Sequence, residues 1–445
     1  MVGGVFSISG SCELILIDVI FNTYLCYQVQ HVTLVNTVAP IPNPFVYGQV
    51  LIPGKPFCAR PKLESSVLEA ATHQHRIVLL GERRMGKSSL VEHTLTGPDR
   101  ILVAVDLRGL DSAADFVDRL LLRLSTALEA HRTLSKHLPE RLKEALAFIS
   151  EVNVSFHGIL SVSAKGKPKA STVIRALNAV ERASRWRPLV VFFDEFQEII
   201  ENLDEQESRH LLGVLRGEIQ RHAHVAYLFA GSARGSMLEL FTAERSQFYQ
   251  SATILDVGPI PQVDMARFLR EQFARGRREL SADTLQAIFA LAGESPNDQQ
   301  QLAYHLWTQS TPGRLGQEEL KRAFSALLAE VSRRGELILE SATPAQRRVL
   351  FAIAIREDQE TSTDSFIRFA GFKNNSSVGA ALRPFLKGNN AILEKRGSRV
   401  RYRERFMRLW VLLQVVNIPS LFPAGRPFIA SSEQGLLLAY LSIAP

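Results

Sequence analysis

The sequence predicts an α/β fold built on a parallel, doubly wound sheet, and three observations point to it. Short apolar runs at residues 77–80, 189–193 and 225–230, with mostly apolar ones at 101–106 and 253–257 that each carry an Asp, alternate with longer amphipathic stretches. Runs of that length without polar interruption suit strands buried on both faces, and their alternation with helices requires parallel crossovers. The third observation is a glycine-rich turn between the first run and a helix-forming segment, the place where an α/β sheet presents its ligand-binding edge.

That turn reads Gly81-Glu82-Arg83-Arg84-Met85-Gly86-Lys87-Ser88, a G-x-x-x-x-G-K-S phosphate-binding loop. Its glycines let successive N–H groups point inward at phosphate oxygens, and the following helix adds its partial positive charge. We expect Gly81, Glu82, Arg83, Arg84, Met85, Gly86, Lys87, Ser88 and Ser89 to hold the nucleotide. Lys87 would reach the β/γ-phosphates and Ser88 would ligate Mg²⁺. The run at 189–193 ends in Asp194-Glu195. Asp194 is expected to serve the Mg²⁺, and Glu195 to polarise an attacking water, which favours hydrolysis over simple binding.

The remaining elements follow in order. Pro40, Pro42 and Pro44 break the chain, and a helix beginning near Pro61 leads to the first strand. Phe116, Val117, Leu120, Leu121, Leu124 and Leu128 recur at helical spacing. Residues 152–162 alternate like a hairpin and run into a Lys/Gly/Pro segment at 165–169. From Gln262 to about Arg334 the pattern is all-helical, broken at Gly293-Glu294-Ser295-Pro296. Thr343-Pro344 opens a further helix, a short one covers Phe366 to Phe369, and Ser376-Ser377 are expected to cap a third. Two β-like segments then flank Gly397-Ser398. Three helices followed by a hairpin describe a winged helix. The expected organisation is an extension over 1–43, a nucleotide-binding core over 44–260, a helical lid over 261–338, a winged helix over 339–416 and an irregular tail over 417–445.

Composition sets outer limits. The 445 residues are 46% hydrophobic and 22% charged, as in a globular protein with full cores. Cys12, Cys26 and Cys58 show no metal or disulfide spacing and read as free thiols of a reducing compartment. No apolar stretch reaches the ~20 residues that span a bilayer, and Met1 to Gly10 carries no Lys or Arg. The expected location is therefore cytoplasmic. Nine basic residues between Arg383 and Arg408 face only Glu394 and Glu404, a local excess equal to the +7 of the whole chain. Arg399, Arg401 and Arg403 alternate with Val400 and Tyr402, which places the three on one strand face. Such a face would suit DNA phosphates, or would dock on the chain's own acids such as Glu201, Asp204, Glu205 and Glu207.

With these residues in order, the chain resembles the archaeal-type ATPases of the STAND/AAA+ group of P-loop NTPases, over about residues 44–415. The resemblance rests on Asn43-Pro44-Phe45, Tyr47-Gly48, Phe57, Arg60 and Glu64, the loop at 81–90, Phe193-Asp194-Glu195-Phe196-Gln197, Phe229-Ala230-Gly231-Ser232, Phe248-Tyr249, Phe406 and Trp410. It implies an AAA+-like core with a helical lid and C-terminal winged helix. It also implies ATP binding, slow hydrolysis used as a switch, and a C-terminal module that receives or transmits the signal; the expected partners are ATP/ADP, a second copy of the chain and another protein. By resemblance Ser232 would sense the γ-phosphate, and Gly293-Glu294-Ser295-Pro296 would face the nucleotide. Gln250 and Ser251 stand where the family carries an arginine after the Phe-Tyr pair, while Arg245 and Arg234 lie nearby, so the resemblance fixes no arginine finger. The alternatives are a DNA-binding AAA+ protein resembling archaeal replication initiators and a non-hydrolysing scaffold. Intact Lys87, Asp194 and Glu195 weigh against the scaffold, and the absence of an L-S-G-G-Q-like segment against a transporter ATPase.

Overall fold

The computed structural model describes residues 41–50, 54–133, 144, 147–151, 170–357, 359–386 and 391–417. The hairpin expected at 152–162, the segment at 165–169, residues 1–40 with Cys12 and Cys26, and the chain beyond 417 lie outside the described residues.

All five expected strands form. They are β1 (Arg76–Leu80), β2 (Ile101–Asp106), β3 (Leu189–Asp194), β4 (Val225–Gly231) and β5 (Thr253–Asp256). They pair parallel in the order β2-β3-β4-β1-β5. β4 is buried along its whole length, and β3 along all but its last residue, which explains their uninterrupted apolar sequences. β2 alternates buried and half-buried residues, while β5 is half-exposed at the edge. Because side chains alternate across a strand, Val191, Phe193, Tyr227 and Phe229 join one core and Val190, Phe192, Ala226 and Leu228 the other. Helices α1 (Pro61–Thr72) and α2 (Lys87–Leu95) close the second face. The first is closed by α3 (Ala113–Thr133), α4 (Ala170–Ser184), α6 (Glu205–Arg221) and α7 (Arg234–Thr242), with α5 (Glu198–Asn202) a short helix after β3.

Beyond the sheet come α8 (Gln262–Arg275), α9 (Ala282–Ala292), α10 (Pro296–Thr308) and α11 (Gln317–Ser341). This segment is not all-helical as expected. β6 (Arg278–Leu280) and β7 (Gly313–Leu315) form a parallel two-stranded ribbon within it, each too short to show a period in the sequence. Then follow α12 (Pro344–Ile355), α13 (Asp364–Phe369), α14 (Asn375–Leu386), the antiparallel hairpin β8 (Leu393–Arg396) and β9 (Arg399–Tyr402), and α15 (Arg405–Asn417). Thr343 and Gln346 make a reciprocal capping box at α12. At α14 the acceptor is Asn374, which takes the N–H and hydroxyl of Ser377 at 2.9 and 2.8 Å. Ser377 is thus a donor and not the cap expected.

The boundary expected at residue 338 falls inside α11, which runs unbroken to Ser341. One apolar cluster extends from Phe45 through α8–α11 to α12 and α15, so the segments read as lid and winged helix share a core. Gly335 shows how closely α11 and α15 approach. A Cβ there would lie 2.3 Å from Cζ3 of Trp410, so only glycine admits the indole. Arg408, 3% exposed, is satisfied in this core by the carbonyl of Ala354 at 2.9 Å and by Glu357 at 3.0 Å.

Candidate nucleotide-binding site

The loop between β1 and α2 is curled as the motif requires. Arg84 and Gly86 take left-handed φ values of 68° and 82°, turning the backbone toward the helix start. Gly81 permits a close approach, since a Cβ there would stand 2.3 Å from the carbonyl oxygen of Val257 beyond β5. Lys87 is 5% exposed, and its ammonium donates to the loop carbonyls of Gly81 at 2.8 Å and Glu82 at 3.0 Å. Burial lowers its pKa, opposed by the charges of Glu195 and Asp194. Arg60, also buried, donates to the carbonyls of Met85 at 3.1 Å and Gly258, pinning the loop to the chain leaving β5.

Strand order brings the acids to this loop, because β4 alone separates β1 from β3. The Ser88 hydroxyl donates to Asp194 Oδ2. Burial pushes the Asp194 carboxyl above its ordinary range, although the Ser88 hydrogen bond pulls it down. Glu195 has φ 53°, a conformation costing a non-glycine residue about 1 kcal/mol or more. Its Oε2 accepts from Gln197 Nε2 at 2.6 Å, Ser232 Oγ at 2.7 Å and Ser232 N–H at 3.1 Å. The Ser232 hydroxyl, expected on a γ-phosphate, is therefore engaged by Glu195, and Ser232 does not line the cavity. Phe196, Phe229, Phe241 and Phe248 lock the turn from beneath, with the first two rings 4.7 Å apart.

The loop borders a cavity of about 520 Å³. Its walls include Arg83, Arg84, Met85, Gly86, Lys87, Ser88 and Ser89 with Asp194 and Glu195, and on the far side Phe57, Pro296 and Asn297. The Gly293–Pro296 element thus reaches the cavity. Gly293 turns the chain at φ 68°, Ser295 caps α10 and Pro296 occupies its first turn. Gly81 and Glu82 are set behind the cavity and contribute the carbonyls that hold Lys87. The Glu82 side chain turns outward to Arg401 of β9 at 3.3 Å. Arg84 reaches Asp298 of α10 at 3.4 Å and Glu404 at 3.6 Å, and Arg334 of α11 joins Glu404 at 2.9 Å. Among the described residues no group of three or more His, Cys, Asp and Glu could hold a metal by itself, and no helix is long and apolar enough to cross a membrane.

The basic stretch is not a uniform cationic face. Arg399 and Arg401 do share one side of β9, opposite buried Val400 and Tyr402. Arg403 lies past the strand and donates to the carbonyls of Leu393 at 2.9 Å and Leu386 at 3.1 Å. Arg401 is held by Glu394 at 2.6 Å and by Glu82, and Arg405 donates to the carbonyls of Leu291 and Ala290. The acids named as docking partners are engaged elsewhere. Glu201 accepts from Ser236 at 2.6 Å, Asp204 caps α6, Glu205 pairs with Arg209 and Glu207 accepts the Ala113 N–H. The hairpin meets the phosphate loop instead.

No family model matches the chain, and no curated protein matches it. Among solved structures, a Walker-type ATPase of Pyrococcus abyssi aligns with a TM-score of 0.54 at 17% identity, over 80% of this chain and 96% of that one. The fold is that of a Walker-type ATPase. The ORC2 protein of Aeropyrum pernix, in ADPNP–ADP complexes, aligns with a TM-score of 0.45 at 10% identity, over 90% of this chain and 98% of that one. Within the Walker-type fold, the sequence alone assigned no task to Arg60, Gln197 or Asn297, nor to Arg108, which also lines the cavity. Arg108 had a usable signal, an arginine two residues past a strand ending in Asp106. Gln197 had none, since its partner depends on the rotamer of Glu195.

Proposed function

We propose that this chain binds and hydrolyses ATP, and that the nucleotide state sets the position of its C-terminal helices and hairpin, a winged helix. The observation that supports the switch is the pairing of two residues between the glycines of the phosphate loop, Glu82 and Arg84, with Arg401, Asp298 and Glu404. A loop that closes around phosphates would carry those paired residues with it, and the pairs would in turn hold the closed loop.

The residues present fit the ligand. Lys87 is a buried cation whose partners are two loop carbonyls, and a β/γ-phosphate is a stronger acceptor for it. Ser88 and Asp194, already joined, form a hydroxyl–carboxylate set suited to Mg²⁺. Magnesium, when bound, screens the charge on the β- and γ-oxygens. Glu195 would orient the attacking water and accept its proton through Oε1, while Oε2 stays anchored to Gln197 and Ser232. This assigns Ser232 to positioning Glu195 rather than to touching the γ-phosphate.

DNA binding by the basic stretch is the weaker reading. Arg401, Arg403, Arg405 and Arg408 are bonded within the chain, which leaves Arg383, Lys395 and Arg399 as its exposed cations among the described residues. Lys87→Ala should abolish ATP and ADP binding measured by calorimetry. Glu195→Gln should bind ATP normally and hydrolyse it about 10²–10⁴-fold more slowly. Hydrolysis by Glu195→Gln at the wild-type rate would remove Glu195 from the mechanism.

A further inference from the structure

We infer that Arg108 is a catalytic residue that contacts the γ-phosphate from within the same chain. This rests on the ATPase reading above. β2 lies beside β3 with Asp106 level with Asp194, so the turn after β2 stands next to the acids at the sheet's carboxyl edge. Arg108, two residues into that turn, lines the same cavity as Lys87, Asp194 and Glu195. Its side chain is 59% exposed, so it can reach a ligand without being dug out of a core.

The turn is built to hold it. Asp106 accepts from Arg108 Nε at 2.9 and 3.1 Å and from Nη2 at 2.5 Å, which fixes the plane of the guanidinium. Arg119 of α3 straps the turn from behind, donating to the carbonyls of Asp106 at 3.0 Å, Arg108 at 2.8 Å and Gly109 at 3.3 Å. Arg119 is itself clamped by Asp115. Gly109, with φ 64°, makes the bend, and its N–H donates to Glu198 just beyond the acids. The charge on Arg108 is held first by its hydrogen bonds to Asp106, and the fields of Asp194 and Glu195 act in the same direction. A rigid turn therefore presents one cation to the side of the cavity where the acids place the terminal phosphate. As that phosphate leaves, negative charge grows on its oxygens and on the bridging oxygen, and a fixed guanidinium there stabilises the change.

The test uses the full chain. Wild type, Arg108→Ala and Arg108→Lys are compared for equilibrium binding of ADP and of a non-hydrolysable ATP analogue, and for single-turnover hydrolysis. Arg108→Ala should keep ADP affinity within about twofold and lose about 100-fold in hydrolysis, the scale of one preorganised donor. Arg108→Lys should recover part of it. Mixing Arg108→Ala with Lys87→Ala protein should restore nothing, because each nucleotide site would still lack a group of its own chain. Unchanged hydrolysis in Arg108→Ala, equal loss of ADP and ATP-analogue affinity, or recovery on mixing would each overturn the assignment. If the wild type neither binds nor hydrolyses ATP, the ATPase reading itself fails.

Discussion

Replacing Arg401 with Ala tests whether the phosphate loop and the C-terminal hairpin are mechanically linked. Arg401 is 24% exposed, and its partner Glu82, 3.3 Å away, is 44% exposed. Unscreened Coulomb attraction at that distance would be about 5 kcal/mol at an effective dielectric of 20. Water reaches both groups, and pairs of this exposure are worth about 0.5–1 kcal/mol. That corresponds to about a two- to fivefold change in an equilibrium or a rate. If the pair holds the nucleotide-bound loop closed, Arg401→Ala should speed release of a fluorescent ADP analogue by that factor, measured by stopped flow. The acceleration should shrink as salt rises, because salt already weakens the wild-type pair. Glu82→Ala should give a similar rate, and the double variant should be no faster than either single one. Additive effects, or an ADP release rate indifferent to all three variants, would refute the linkage.

Three further outcomes are expected. Ser232→Ala should leave ADP affinity unchanged while hydrolysis falls about tenfold, since Glu195 loses a hydroxyl donor that fixes its orientation; equal loss of binding would point to a collapsed β4 turn. Asp194→Asn should stop hydrolysis yet stabilise the nucleotide-free protein at neutral pH in a thermal melt. Burial raises the Asp194 carboxyl in the fold, so its protonated form contributes stability below the unfolded pKa, and that contribution fades as pH rises through the folded value. The gain from Asp194→Asn should accordingly vanish in acid, and a gain independent of pH would discard burial of the charge as its cause. Gly335→Ala should destabilise by about 1–2 kcal/mol, because the clash with Trp410 outweighs the better helix propensity of alanine; a raised melting temperature would show that α11 and α15 separate freely.

The sheet was legible because its signal is local. β1, β3 and β4 are short apolar runs, and burial on both faces is what such unbroken runs encode, while β2 and β5 keep enough apolar residues to be read as strands. The phosphate loop was legible because a few consecutive residues carry its chemistry. Contacts between distant residues were not. Ser232 finds Glu195 across 37 positions and Arg401 finds Glu82 across 319, and neither pairing leaves a pattern along the chain. The alternation of Arg399, Arg401 and Arg403 promised one cationic face, but β9 ends at Tyr402, so the third arginine follows a different backbone direction. The break expected at 338 fails for a similar reason. The sequence there keeps helical periodicity through Ile338, whose side chain is buried in the shared core.

That shared core has a bearing on how variants should be interpreted. Leu302, Leu306 and Trp307 of α10 and Phe406, Leu409 and Trp410 of α15 belong to one apolar cluster. The first turn of α10 carries Pro296 and Asn297 to the cavity wall. A cavity opened under α15 would therefore loosen the nucleotide pocket's far wall without any residue near the phosphates having changed. Weak nucleotide binding in a C-terminal variant would then report softened packing more than 100 residues along the chain, and only a melt recorded beside the titration separates that from a lost contact.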